Sequence, residues 1–265
     1  MLPVLRRMMC NTVYDSQSGM RVQLSASRLA LHELVAAADG DDVLSTELLA
    51  AGLATVQRPV PAHAALASDA VVEVLPSALL AGDDAAATAS QGGATVSISL
   101  PCDDIDRAIE LGESAAAACV AANAACRVNL IGAFKADLYD VQHVAAKVCD
   151  AGAAHIVLVD DGEAGPLNEF DVESLIEALI WVDLVGTPMK LRIGVRGVAG
   201  GEGVELAKLA VQLGVTRIDV CAAGNAAPKT ADVVAALDAL AAEGEHDVLP
   251  HGVDADALSA AARLL

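Results

Sequence analysis

Aromatic side chains are almost missing from this chain: Trp181, Tyr14, Tyr139, Phe134 and Phe170 are the whole set. Single-stranded nucleic acid is held largely on exposed rings, so a base-stacking surface is excluded. Positive charge is scarce as well. Lys and Arg number 16 against 36 Asp and Glu, a formal net charge of −20. Phosphate backbones and anionic membrane surfaces both reward Lys and Arg, so neither is expected as a partner. The acidic balance reads as a well-solvated surface. No C-x-x-C pair occurs among Cys10, Cys102, Cys119, Cys126, Cys149 and Cys221. These lie in apolar, regular segments and read as buried free thiols in a reducing compartment. No apolar run is long enough to cross a bilayer, since the alanine-rich stretch after Ser114 is broken by Asn123 and Arg127. An interior linker and a low-complexity spacer are also lacking, so residues 1–265 read as a single domain.

What is present is alternation. Strands are expected at Met8–Val13, Val43–Leu49, Val71–Leu75, Thr95–Leu100, Arg127–Ile131, Ile156–Val159, Leu191–Val195 and Arg217–Val220. Helices are expected at Ser25–Ala38, Pro59–Ser68, Asp83–Ser90, Asp103–Ala125, Leu138–Ala151, Asp171–Leu184, Gly203–Leu213, Thr230–Ala242 and Asp254–Leu265. Gly152, Gly214 and Gly244 supply the stops. Apolar strands between helices mean a parallel sheet buried on both faces. About eight such pairs in a chain of this length predict an α/β fold, the (β/α)8 TIM barrel, with strand one beside strand eight. An open doubly wound sheet would carry a Gly-rich turn after its first strand, and Asp15-Ser16-Gln17-Ser18 is not one.

Barrel chemistry sits where the strands end at their C-terminal side. Those positions hold Tyr14 and Asp15, Glu47, Asp160 and Asp161, Arg196 and Val198, and Gly224 and Asn225. Simpler roles also suit several of them. Asp15 fits a turn cap, Asp160-Asp161 before Gly162 a turn, and Glu47 a solvated strand end. His143, His155, His246 and His251 lack ligand spacing and read as structural or surface residues. Gly200-Gly201 has no basic partner, so a phosphate-binding turn is not expected there. Arg6 and Arg7 resemble a targeting stub but are read as the lead into the first strand.

Several segments, in order, resemble the HMG-CoA lyases. LPVLRRMMCNTVYDSQSG is similar to the family's opening strand and its Arg-Asp-Gly turn. HIVLVDDGEAGPL resembles its sixth-strand segment, KLRIGVRGVAGGEGVELAKLAVQLGVTRIDV the stretch ending in His-x-His, AAGNAAPKTADVVAAL the Gly-Asn segment, and LPHGVDADAL the tail. The resemblance implies a divalent ion held by an Asp, two His and an Asn. Asp15 and Asn225 match two of these, whereas Arg196 and Val198 stand at the His positions. Tyr14 replaces the family's catalytic Arg. Glu47 and Asp160 match its acidic residues on strands two and six, and the loop bearing its catalytic Cys is missing.

Two ligands are too few for an ion that wants about six, and the guanidinium of Arg196 adds repulsion. The expectation is therefore a pseudoenzyme: not an enzyme, without metal or other cofactor, its site vestigial. By resemblance it would be a mitochondrial, otherwise soluble intracellular, accessory subunit among the protein subunits of a larger assembly, such as a respiratory-chain complex. The other reading is an active, divergent carbon–carbon lyase or aldolase acting on an acyl thioester or oxo acid. In either case Arg196 is expected to occupy the old metal region and to pair with Asp15 or Asp160.

Overall fold

In a computed structural model, eight parallel strands close a ring. The structure describes residues 12–14, 21–23, 29–33, 50–51, 53, 55–58, 70–73, 95–163, 165–180, 192–244 and 250–261. Two short strands, β1 (Thr12–Tyr14) and β2 (Arg21–Gln23), form an antiparallel pair apart from the ring. The ring begins with β3 (Ala30–Glu33), β4 (Thr55–Arg58), β5 (Ala70–Glu73) and β6 (Thr95–Pro101). It continues through β7 (Ala125–Ile131), β8 (His155–Val159), β9 (Ile193–Arg196) and β10 (Arg217–Val220). Neighbours along the chain pair in parallel, and β10 returns to β3 with Ala30 opposite Arg217 and Glu33 opposite Val220.

The expected TIM barrel is therefore present, but it starts elsewhere. Met8–Val13 was expected as the first barrel strand; its described end lies in β1, outside the ring. Ser25–Ala38 was expected as a helix, and its centre is β3. The reason lies in side-chain period. Leu29 and Leu31 are both buried, two residues apart, which a strand places on one face and a helix does not. The Leu29 and Ala30 N–H groups donate to Pro250 O and Thr216 O, tying this strand to the end of the chain. Val43–Leu49, Pro59–Ser68 and Asp83–Ser90 fall outside the described residues.

Six helices are described: α1 (Ile105–Ala121), α2 (Leu138–Asp150), α3 (Glu169–Ile180), α4 (Gly201–Gln212), α5 (Thr230–Glu243) and α6 (Ala255–Ala261). Short acidic side chains start two of them. Asp104 accepts from the Arg107 N–H at 3.1 Å, and Asp137 from the Tyr139 N–H at 2.9 Å. The apolar core lies between ring and helices, where Ile98, Leu130, Leu158 and Ile193 are fully buried beside Ile176 and Leu179 of α3. At Gly112 of α1 an added β-carbon would stand 2.6 Å from the Val148 side chain of α2, so these two helices approach closely. No described helix is long and apolar enough to cross a membrane.

Candidate active site

The strand residues between the core-facing positions are polar. In β7 the sequence Cys126-Arg127-Val128-Asn129-Leu130 alternates, and so does Val96-Ser97-Ile98-Ser99-Leu100 in β6. With Val96, Ile98, Cys126 and Val128 buried against helices, Ser97, Ser99, Arg127 and Asn129 face the barrel interior. Their bonds agree. The Asn129 amide donates to Ser97 Oγ at 2.9 Å and Ser99 Oγ at 3.2 Å, and Arg127 Nε donates to Asn129 Oδ1 at 3.1 Å.

A carboxylate in β10 joins the two sides of the ring. Asp219, 1% exposed, accepts at Oδ2 from Arg127 of β7, although β8 and β9 lie between those strands. The same oxygen accepts from Arg196 Nε of β9 at 2.8 Å. Arg127 and Asp219 are both fully shielded from water, where an unpaired ion would be strongly disfavoured, so this bridge holds charges that neither strand tolerates alone. Gly194 of β9 faces the same lumen: a β-carbon there would meet the Arg217 side chain at 3.2 Å and Val157 at 3.4 Å.

Arg196 is the last residue of β9, and its side chain is 13% exposed. Its Nη2 is buried without a hydrogen-bond partner. Lower in the barrel, His155 begins β8 with its Nδ1 likewise unpartnered. Burial, followed by the charges of Arg217, Arg127 and Arg192, pushes its pKa down to about 3 and keeps the ring neutral.

Asp160 follows β8 directly, is 7% exposed, and its N–H donates to Arg196 O at 2.9 Å. Its carboxylate accepts from the Gly162 N–H at 2.9 Å and from the Val198 N–H, linking the loops after β8 and β9. Burial nevertheless raises its pKa, with Asp161 and Glu202 adding to the rise. Beside it, Lys135 donates to Asp161 at 2.8 Å and to Glu163 at 2.5 Å. Those two acceptors raise the lysine pKa, which holds the amine protonated and unsuited to carbonyl addition. Burial pushes the Cys102 thiol up to about 12, so it is no thiolate nucleophile.

Of the residues singled out in the sequence, Asp160, Arg196 and Val198 come together at the C-terminal ends of β8 and β9. Asn225 lies in the turn after β10, where its Oδ1 accepts from Cys221 Sγ at 3.1 Å. Tyr14 ends β1, outside the ring, and Asp15 and Glu47 lie outside the described residues. Arg196 was expected to pair with Asp15 or Asp160; inside the barrel it pairs with Asp219, and Asp15 lies outside the described residues. The donor set that the resemblance implies for a divalent ion does not fit: Arg196 is cationic, Val198 offers a backbone N–H, and the Asn225 oxygen is engaged by Cys221. Among the described residues no three His, Cys, Asp or Glu side chains gather into a metal site. Arg127, Asn129 and Asp219 were missed in the sequence. Their signal was a polar residue at every second strand position.

No family model matches the chain, and no curated protein matches it. Solved structures do. The N-terminal domain of a protein named as an aldolase from Bacteroides vulgatus is similar with a TM-score of 0.63 and 14% identity, over 89% of this chain and 85% of that one. Phospho-2-dehydro-3-deoxyheptonate aldolase (DAHP synthase) from Thermotoga maritima is similar with a TM-score of 0.52 and 13% identity, over 94% of this chain and 76% of that one. At such identities these likenesses show the barrel fold. The expectation of a chain that is not an enzyme finds no support among them: both of these neighbours carry aldolase names, and at such identities the likeness carries the fold alone.

Proposed function

We propose that this protein is a carbon–carbon lyase or aldolase acting on an acyl thioester or oxo acid at the C-terminal mouth of its barrel. The observation that carries the reading is the pair at the ends of β8 and β9: a buried, basic-shifted carboxylate, Asp160, and a guanidinium, Arg196, with a free donor. Cleavage beside a hydroxyl needs a base and a place for negative charge. Asp160 takes the hydroxyl proton, the oxygen's electrons form a carbonyl, and the adjacent carbon–carbon bond breaks. Its electron pair passes to the second fragment as an enolate, whose charge Arg196 stabilises. Asp160 then returns the proton to the enolate carbon. In this reading the resemblance to HMG-CoA lyases is one of reaction type, and no step passes through a metal.

The test is turnover of a panel of 3-hydroxy acyl thioesters and hydroxy oxo acids, followed by product mass spectrometry. Asp160→Asn should lower kcat by about 10²–10⁴-fold. The acid limb of kcat/KM should lie above the ordinary carboxylate value of 3.8, because burial disfavours the ionised form. Equal turnover by wild type and Asp160→Asn would remove the assignment.

A further inference from the structure

We infer that Arg196 selects substrates with a free carboxylate, and that Asp219 is the positioning residue that presents it. This rests on the proposed lyase reading and narrows its substrate to an oxo acid rather than an acyl thioester. An arginine opposite a carboxylate ordinarily forms a side-on fork, with Nε and Nη2 each reaching a different oxygen. Here that fork is incomplete. Asp219 Oδ2 is shared between Arg127 and Arg196, and Arg196 reaches it through Nε alone. Its Nη2 stays buried without an acceptor. A desolvated donor on a charged group is strongly disfavoured until something accepts from it.

The place suits a small anion. Arg196 ends its strand at the mouth, its side chain is mostly shielded, and Arg127 anchors Asp219 from across the lumen. A carboxylate entering from the mouth completes the fork that Asp219 leaves open. An acyl thioester without a second carboxyl group, such as acetyl-CoA, carries only a neutral carbonyl there and satisfies the donor without its charge.

Oxalate and acetyl-CoA are the probes, titrated calorimetrically into the full chain. Oxalate should bind wild type. Arg196→Gln should weaken it by about tenfold or more, and Arg196→Lys should recover part of the loss, since lysine keeps charge without the fork. Asp219→Asn should weaken oxalate several-fold and Asp219→Glu should restore it partly, with thermal melts confirming that each variant is folded. The lyase reading is scored separately, by turnover of wild type against Asp160→Asn, so it can fail while oxalate binding to wild type stands. Absent oxalate binding in wild type, unchanged affinity in folded Arg196→Gln and Arg196→Lys, or an equal loss of acetyl-CoA binding would overturn the inference.

Discussion

Gly203 and Gly197 are fixed by what lies against them. A β-carbon on Gly203 would stand 1.9 Å from the Val198 carbonyl oxygen, and one on Gly197 would stand 2.5 Å from Gly203 Cα. Backbone meets backbone here, so no rotamer change relieves the contact. These two glycines therefore pack α4 against the loop after β9. That loop carries the Val198 N–H to Asp160. Gly203→Ala should lower stability by about 1–3 kcal/mol, as overpacking does, read as a fall in the denaturant midpoint. Because the loop is displaced, oxalate affinity should fall with it. Retained stability would mean that the loop yields freely.

Elements in the second half of the chain were legible because each period was unambiguous. β8 reads Ile156-Val157-Leu158-Val159, and α2 places Val141, Val144, Ala145 and Val148 on one buried face. β3 was misread as part of a helix because four residues hold too little pattern to decide. What decides is the partner strand β10, whose position no local window contains. The site was half legible for a related reason. Strand ends drew attention to Asp160 and Arg196, whereas Asp219 and Arg127 lie inside strands that read as apolar. The lost His positions were also given too much weight, as though one donor set were the only chemistry a barrel mouth supports. Leu31→Ala separates strand from helix directly. Alanine is the better helix former, so a helix would be affected little. In the buried face of β3 the same change should destabilise by about 2–5 kcal/mol, measured by chemical unfolding.

At the scale of the whole molecule, burying guanidinium groups and an imidazole in one lumen makes stability depend on pH. Free histidine titrates near 6.5, and His155 is pushed down to about 3. As pH falls through 6.5 the unfolded chain takes up a proton that the folded chain refuses. Stability due to His155 is thus fully present above 6.5 and is lost progressively toward 3, by an amount on the order of a few kcal/mol. His155→Gln should flatten the acid limb of the melting temperature between pH 6.5 and 4. An unchanged slope would show that the imidazole meets solvent.

The closure of the ring by β3 and β10 has a consequence in time. Ala30 finds its partner at Arg217, well over half the chain away. On the ribosome, the first strand of the ring is therefore complete long before its last neighbour exists. Until then the hydrogen-bonding edge of Ala30–Glu33 that faces β10 has no native partner, and open edges pair with whatever strand arrives. Maturation is governed by the last strand made: in a nascent chain halted before Arg217 the ring has two open edges, and in one released after Val220 the ring has none.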